Sequence, residues 1–246
     1  MKSNIRRAAI LAFWLLLWQA AALVIDNQIL LPGPIAVFRA LLGLLPTGNF
    51  WLSLLTSLLR IGGGFLLAFA VAAFLAALSF TLPLFRELLK PLVAAAKTVP
   101  IASFVILLLI WTSSRYLSTA ISFLVVLPQL YEAMLAGLAA ADQQLLEAAE
   151  VLRIPALRRF WFIYRPTLRG YLTAACSTAL GMCWKSGVAA EVIGVPTGTI
   201  GEGFYLAKIN VDIPSLLAWT VAMLCLSQLF EKLIMFLLHR FFRTVK

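Results

Sequence analysis

Long apolar runs separated by short polar breaks make up most of this sequence. The first run, residues 8–25, is about eighteen residues long and follows the basic start MKSNIRR. The further runs lie at residues 52–80, 91–111, 118–138, 167–193 and 213–238. A helix needs roughly twenty apolar residues to cross the hydrocarbon core of a bilayer. Charged residues make up only 12% of the chain, against about 25% in soluble domains, so we predict an all-α integral membrane protein.

These runs predict about six transmembrane helices in a single transmembrane domain over residues 1–246. Residues 8–25 form the first helix and residues 26–51 an outer connector with an interfacial helix. The helical core follows over residues 52–238, and residues 239–246 form a cytoplasmic tail. A cleaved signal peptide is the alternative for the first run, but Trp14 and Trp18 favour a retained helix.

The distribution of positive charge predicts which side each end occupies. Under the six-span arrangement, thirteen of the 20 lysines and arginines fall on the side of both termini. Three, Arg39, Arg115 and Lys208, fall on the opposite side, and four lie within or at the edges of spans. Because cytoplasmic loops carry the excess of Lys and Arg, both termini are predicted to be cytoplasmic.

The longest polar segment, DQQLLEAAEVLRIPALRRFWFIYRP over residues 142–166, predicts two short cytoplasmic helices. Leu145, Ala149 and Leu152 recur at helical spacing and give the first helix an apolar face. Pro155 favours a second helix start, and Pro166 marks a restart into the next span. Two amphipathic helices of this kind suit docking into a groove on a partner. The alternative is a basic loop that only satisfies the topology rule.

The same segment resembles the EAA motif of the membrane subunits of binding-protein-dependent ABC importers. The spacing of the family's motif is matched by Glu147-Ala148-Ala149, Ile163 and Pro166. Two positions differ from the motif: Arg153 stands where the family has glycine, and Arg165 stands where it has leucine. Other segments resemble the nitrate/sulfonate/taurine branch, so the resemblance covers roughly residues 30–240. These segments are Leu31-Pro32-Gly33-Pro34, Ser57-Leu58-Leu59-Arg60 with Gly64-Phe65, and Ala190-Glu191-Val192-Ile193-Gly194 with Gly198.

This resemblance implies a type I ABC importer permease in the bacterial inner membrane. The family's permeases form a translocation pathway for a small solute, here an anion such as a sulfonate, taurine or nitrate, with a heterocyclic vitamin precursor as the alternative. The implied partners are two cytoplasmic ATPase subunits holding ATP and Mg, an extracytoplasmic solute-binding protein, a second and identical permease copy, and membrane lipid. The residues implied in coupling to the ATPase are Glu147, Ala148, Ala149, Arg153, Ile154, Pro155, Ile163 and Pro166.

The residues themselves argue against an enzyme. There is no catalytic cluster, and Gly62-Gly63-Gly64 lacks the following Gly-Lys-Ser/Thr of a phosphate loop, so close helix packing is the better account of these glycines. No cofactor is expected on this chain. The cysteines form no C-x-x-C pair and predict no metal site. The basic residues sit at the ends of apolar runs, which excludes nucleic acid as the reason for the net charge of +10.

Charged residues within spans are costly in hydrocarbon and therefore mark candidate pathway positions. We select Lys185, Ser186, Glu191 and Glu132. Lys185 is expected either to face a water-filled pathway and attract an anion or to form a buried pair with Glu132 or Glu231. Glu191 is expected near the outer end of its helix, where it would meet solvent.

The partner of Glu132 and the role of the hydroxyl groups stay open at this stage. Glu132 could pair with Lys97 or with Lys185. The hydroxyls of the fifth span, including that of Ser186, favour helix–helix hydrogen bonds over substrate contact.

A six-helix secondary transporter or channel that needs no ATPase is the alternative function. Such a protein is expected to show an ionisable relay or a pair of broken helices near the bilayer midplane.

Overall fold

The chain forms a helical bundle in a computed structural model that describes residues 2–242. Of the predicted tail, residues 243–246 lie outside the described residues. The helices are α1 (Lys2–Ile25), α2 (Pro34–Leu44), α3 (Gly48–Thr81), α4 (Pro83–Thr98), α5 (Ile101–Trp111), α6 (Ser114–Ala139), α7 (Gln143–Val151), α8 (Ala156–Arg159), α9 (Arg165–Gly194), α10 (Ile200–Ile209) and α11 (Ile213–Phe241). A π-helical turn, Phe160–Tyr164, joins α8 to α9. The predicted all-helical membrane fold is confirmed.

The core of the bundle is built by α3, α6 and α9, which approach one another at small residues. A Cβ atom added at Gly64 of α3 would lie 2.5 Å from the Thr119 carbonyl oxygen of α6, and one at Gly187 of α9 would lie 2.6 Å from Ser122 Oγ. Small residues at such contacts let helix backbones pack closely in a membrane. The predicted packing role of the glycine triplet is therefore confirmed at Gly64.

Three helices, α3, α6 and α11, are long and apolar enough to cross a membrane, and the pair α4–α5 makes four if it counts as one span. The apolar part of α1, Ala9–Ile25, is shorter. Helix α9 is 30 residues long but does not meet the same test of length and hydropathy among the described residues. All six predicted segments are helical, whereas length and composition alone support three or four crossings.

The third predicted span, residues 91–111, is not one continuous helix. The chain bends by 103° between α4 and α5, at Val99 and Pro100. Val99 is extended, with φ −69° and ψ 129°, as expected for a residue before proline. Residues 85–90, which separate the second and third apolar runs, lie inside α4, which begins with Pro83 at its first turn.

The long helices run between two distinct ends of the bundle. Helices α7 and α8 lie at the end where α3 and α11 finish, since Phe80 and Phe241 make ring contacts with Tyr164 and Trp161 there. Helix α10 lies at the opposite end, where Ile200 bonds to Ser57 near the start of α3. We call these the α7 end and the α10 end. The segment between the fifth and sixth apolar runs, residues 194–212, thus contains a helix.

Candidate functional site

The Glu-Ala-Ala run lies on α7 at the α7 end of the bundle. Asp142 caps this helix, because its carboxylate accepts the Gln144 amide at 2.9 Å. Ala149 is buried and fastens the helix to the protein, while Glu147 is exposed and accepts a hydrogen bond from Gln143 Nε2 at 3.2 Å. The helix is therefore held on one side and presents Glu147 on the other.

Large apolar side chains around this run are uncovered. The exposed fractions are 53% for Leu145, 82% for Val151, 72% for Leu152 and 70% for Leu157. Arg153 and Arg158 are exposed beside them. We call these six residues the α7 surface. A contiguous apolar patch rimmed by charge is typical of a protein interaction site.

Arg153 ends α7 in the left-handed conformation, with φ of 52°. Its amide bonds to the Glu150 carbonyl and the Ile154 amide to the Ala149 carbonyl, both at 2.9 Å. This pair of bonds is the Schellman motif, whose left-handed residue is most often glycine. The arginine at the motif's glycine position thus preserves the turn that glycine favours. The neighbouring turn is tied by Arg159, whose Nε donates to the Ile154 carbonyl at 2.7 Å.

The restart predicted at Pro166 is absent, because helix α8 continues into α9 through the π-helical turn. Within this turn the Arg165 amide bonds to the Phe160 carbonyl, five residues back. Pro166 has no N–H, so within this continuous helix one carbonyl of the preceding turn receives no bond from it. Helix α8 is therefore joined to α9 by continuous helix, whereas α7 is separated from α8 by the turn at residues 152–155.

Arg165, at the motif's leucine position, links this segment to the end of α11. Its guanidinium donates to the Phe241 carbonyl. The guanidinium also lies over the Trp161 ring, at 4.6 Å from the centroid, and over the Phe241 ring, at 5.3 Å. Arginine stacks on aromatic faces through cation–π attraction. Arg165 therefore packs against the Trp161 and Phe241 rings at the position where the family has leucine.

Among the predicted pathway residues, Lys185 and Ser186 point in different directions from α9. Ser186 is buried and donates to the Met182 carbonyl of its own helix at 2.8 Å. Lys185 is exposed. The expected buried pair with Glu132 or Glu231 is wrong, since these carboxylates accept from Lys97 and from Ser177 instead.

Lys185 belongs to an exposed line of mostly small residues along α9, which we call the α9 open face. Its members are Gly170, Ala174, Thr178, Gly181, Lys185 and Ala189. A Cβ atom added at Gly170 or at Gly181 would meet no atom within 4 Å. This face of a long helix is therefore not covered by the described residues of the chain.

Glu132 pairs with Lys97, which settles one open alternative. Lys97 Nζ lies 2.8 Å from Glu132 Oε2 and 3.0 Å from Oε1. The two side chains are 46% and 48% exposed. An ion pair exposed to this degree contributes at most about 1 kcal/mol, so the pair can open readily.

Glu191 is fully buried, and the expectation that it meets solvent is wrong. Its Oε2 accepts from Ser57 Oγ at 2.7 Å and from the Gly201 amide at 3.3 Å. Ser57 Oγ in turn accepts the Ile200 amide at 2.9 Å. A carboxylate is well placed at the start of a helix, here α10. The network joins α3, α9 and α10, and we call it the α10 anchor.

Sequence reasoning missed the role of one residue that the structure brings to the α10 anchor. Ser57 was noted only as part of a motif segment, although it bonds to both α9 and α10. A hydroxyl among leucines in a long apolar run was the available signal for Ser57.

Comparison with known proteins now identifies the class. The family described as binding-protein-dependent transport system inner membrane component matches residues 64–245, and the chain belongs to this family. It is similar to a probable ABC transporter permease protein of Brucella melitensis biotype 1, with 28% identity over 86% of each chain.

Two further relatives have names that state a solute. The taurine transport system permease protein of Escherichia coli K12 is 26% identical over 78% of this chain and 70% of its own. The bicarbonate transport system permease protein of a Synechocystis species is 29% identical over 78% of this chain and 72% of its own. This chain is therefore a multi-pass inner membrane component of the ABC transporter permease type, a class that works with ATPase and binding-protein partners. The broken pair α4–α5 does not make it a secondary transporter.

Proposed function

We propose that this chain is the transmembrane subunit of an ATP-driven importer and forms the pathway for a small anion. A sulfonate such as taurine, nitrate or bicarbonate is the class of solute that the resemblance and the names of the relatives favour. The observation that carries the proposal is the uncovered α7 surface, four large apolar side chains and two arginines on a membrane protein.

The α7 surface is proposed to dock on the ATPase. Burying its four apolar side chains against a partner would gain free energy from the hydrophobic effect, and the arginines would select an acidic groove. Glu147 stands exposed next to this surface, where a change of charge would act on docking. The coupling residues are proposed to be Glu147, Ala148, Ala149, Arg153, Ile154, Pro155, Ile163 and Pro166.

The α9 open face is proposed to line the pathway between two identical copies. A lysine at the centre of a spanning helix costs about 2.5–3.5 kcal/mol in lipid, so Lys185 favours a water-filled or protein-covered surface. It stands nine residues before the end of α9, which is about 13 Å along the helix. Its charge would attract an anion. Glu132 lies on the same pathway, whereas Ser186 and Glu191 support it from within the bundle.

The orientation is proposed to place the α7 end and both termini in the cytoplasm. The α7 end carries the arginine-rich segment over residues 153–169, in agreement with the positive-inside rule. The chain is proposed to be one transmembrane domain, with residues 139–166 as its coupling segment. In alternating access, ATP binding would draw two coupling segments together and open the pathway toward the α10 end, and hydrolysis would reset it.

Gentle purification of the tagged chain from its native host tests this proposal. We expect an ATPase with a phosphate-binding loop and the permease in equal amounts. Recovery of the chain alone, under conditions that keep known membrane complexes intact, would contradict the importer function.

Glu147→Arg tests the coupling role directly. We expect the variant to reach the membrane folded but to lose ATPase association and solute uptake, because reversal of the charge at position 147 would remove the contact proposed for Glu147 on the ATPase. Glu87→Arg, the same exchange at an exposed position of α4, is the matched control and is expected to retain both. Unchanged uptake in the Glu147 variant would overturn the assigned role.

A further inference from the structure

Three adjoining cavities meet at Lys97. One lies at the bend between α4 and α5 and is lined by Val99, Ile101 and Gln129. Another, of about 720 Å³, lies between α6 and α9 and is lined by Gln129, Glu132 and Thr178. Lys97 lines both, together with a third cavity along α4. The volume of the second is within the range of small-molecule sites, about 300–1,000 Å³.

The charges on this cleft are mainly positive. Arg86, Lys90 and Lys97 face it from α4, and Glu132 is the one carboxylate among its described lining residues. Because Glu132 neutralises Lys97 alone, two cations remain uncompensated on the cleft. A concave surface with an excess of one charge concentrates ions of the opposite sign.

The cleft is continuous with the α9 open face. Gly170, Ala174 and Thr178 belong to that face and also line the cavity between α6 and α9. Glu132 lies seven residues before the end of α6, about 10 Å from it, so the cleft is in the half of the bundle toward the α7 end. Lys185 lies farther along α9, toward the α10 end. Lys97 and Lys185 therefore lie at different distances from the α7 end, with Lys97 the nearer of the two.

We propose that the Lys97–Glu132 pair is an oxyanion subsite, in which the Lys97 ammonium exchanges the Glu132 carboxylate for the sulfonate, nitrate or carboxylate oxygens of the solute. The bidentate contact at 2.8 and 3.0 Å shows that Lys97 can hold a planar pair of oxygens. The half-exposed pair opens without leaving a charge buried. Glu132 then acts as a competing internal anion that releases the solute. This inference rests on the proposed import of an anion.

The test uses a cysteine reporter and does not depend on transport. Thr178→Cys places a thiol in the cleft, in a Cys225→Ser background, because Cys225 is exposed whereas Cys176 and Cys183 are buried. Two methanethiosulfonate reagents of similar size, one carrying a sulfonate and one a trimethylammonium group, are applied to the full chain in membrane vesicles. The ratio of their rates, sulfonate over ammonium, cancels differences in the accessibility of the thiol.

Removal of each partner is expected to move this ratio in opposite directions. Glu132→Gln frees Lys97 and should raise the ratio roughly fivefold, whereas Lys97→Gln should lower it by a similar factor. Lys208→Gln removes the same charge from an exposed position outside the cleft and should leave the ratio unchanged. In the Glu132 variant, taurine or bicarbonate at constant ionic strength should slow the sulfonate reagent, and this protection should be lost in Lys97→Gln.

Two results would overturn the subsite. The first is an equal ratio in the Lys97→Gln and Lys208→Gln proteins. The second is a Glu132→Gln variant in which taurine and bicarbonate at constant ionic strength give no protection against the sulfonate reagent. Failure of the importer function would appear separately, as a missing ATPase in the purification.

Discussion

The two ends of the bundle differ in how their polar and apolar groups are satisfied. At the α10 end, Glu191 is fully buried and its network closes α3, α9 and α10 within one chain. At the α7 end, Leu152 and Val151 are exposed, and Arg153 holds a left-handed backbone. At the α10 end the bonds to Glu191 Oε2 are made within the chain, although Glu191 Oε1 is buried without a hydrogen-bond partner. At the α7 end the chain leaves large apolar side chains exposed.

Because of this difference, we expect substitutions at the two ends to affect different properties of the protein. Changes at the α10 anchor should lower the free energy of unfolding, since they leave buried groups unpaired or crowded. Changes at the α7 surface should alter association and uptake while the protein stays folded. Unfolding can be followed with a maleimide dye that fluoresces on reaction with the buried Cys176 and Cys183, in the Cys225→Ser background.

The largest expected loss of stability follows from Gly201→Ala at the α10 anchor. The added Cβ would lie 2.2 Å from Glu191 Cβ and 2.4 Å from the Glu191 carbonyl carbon. Because backbone atoms cannot yield easily, we expect a cost of about 3 kcal/mol, measured as a lower midpoint in the dye assay. Gly43→Ala, where a Cβ meets nothing within 4 Å, is the matched control. Equal midpoints for the two variants would contradict close packing of α10.

The second largest loss of stability is expected for Glu191→Ala, which tests the difference between the α10 end and the α7 end. Loss of the carboxylate leaves the buried Ser57 hydroxyl and Gly201 amide without their acceptor, so we expect a cost of about 2 kcal/mol. Glu147→Ala, the same exchange at the exposed α7 end, is expected to leave the unfolding midpoint unchanged and to weaken ATPase association. The division between the two ends would be refuted if Glu147→Ala destabilised the protein as much as Glu191→Ala.

Arg153→Gly should have a smaller effect of opposite sign. A left-handed residue other than glycine costs roughly 1–2 kcal/mol, offset in part by the greater freedom of glycine in the unfolded chain. We therefore expect a gain of about 0.5–1 kcal/mol in the dye assay. Arg158→Gly, within helix α8, should instead lose stability. A loss at both positions would mean that the side chain of Arg153 contributes more than its backbone costs.

Lys185→Gln should have the smallest effect on stability. Lys185 is exposed, and the structure places no carboxylate against it among the described residues, so the unfolding midpoint should not move. Uptake of the anion by the assembled importer should fall by about tenfold, the equivalent of roughly 1.4 kcal/mol of lost attraction. Unchanged uptake would remove Lys185 from the pathway.

The features that could be predicted from the sequence are those that depend on residues close together in the chain. The apolar runs predicted the helices, and the helix–turn–helix of the α7 end followed from Leu145 and Pro155. The close approach at Gly64 followed from a triplet of small residues. Each depends on residues near one another in the chain, where hydrophobic period and backbone preference decide the structure.

Features that depend on helix rotation and docking could not be predicted in this way. The burial of Glu191 requires α10 to fold back against α9, which its place near a helix end does not reveal. The choice of Lys97 as the partner of Glu132 requires the relative rotation of α4, α6 and α9. Pro100 signals a break in an apolar run, but the angle of 103° is set by packing against α3, α6 and α9.

The bend between α4 and α5 also has a consequence for biogenesis. Its halves have 16 and 11 residues, and each is shorter than the roughly twenty residues that a free-standing helix needs to cross a bilayer. Helix α4 packs on α3 and α6, and α5 packs on α6 and α9. In the bent form, neither half can cross a bilayer by itself, so the two halves must share one crossing. The bent form is therefore expected to depend on contacts with α3, α6 and α9, and a straight segment to bend only once these helices are in place.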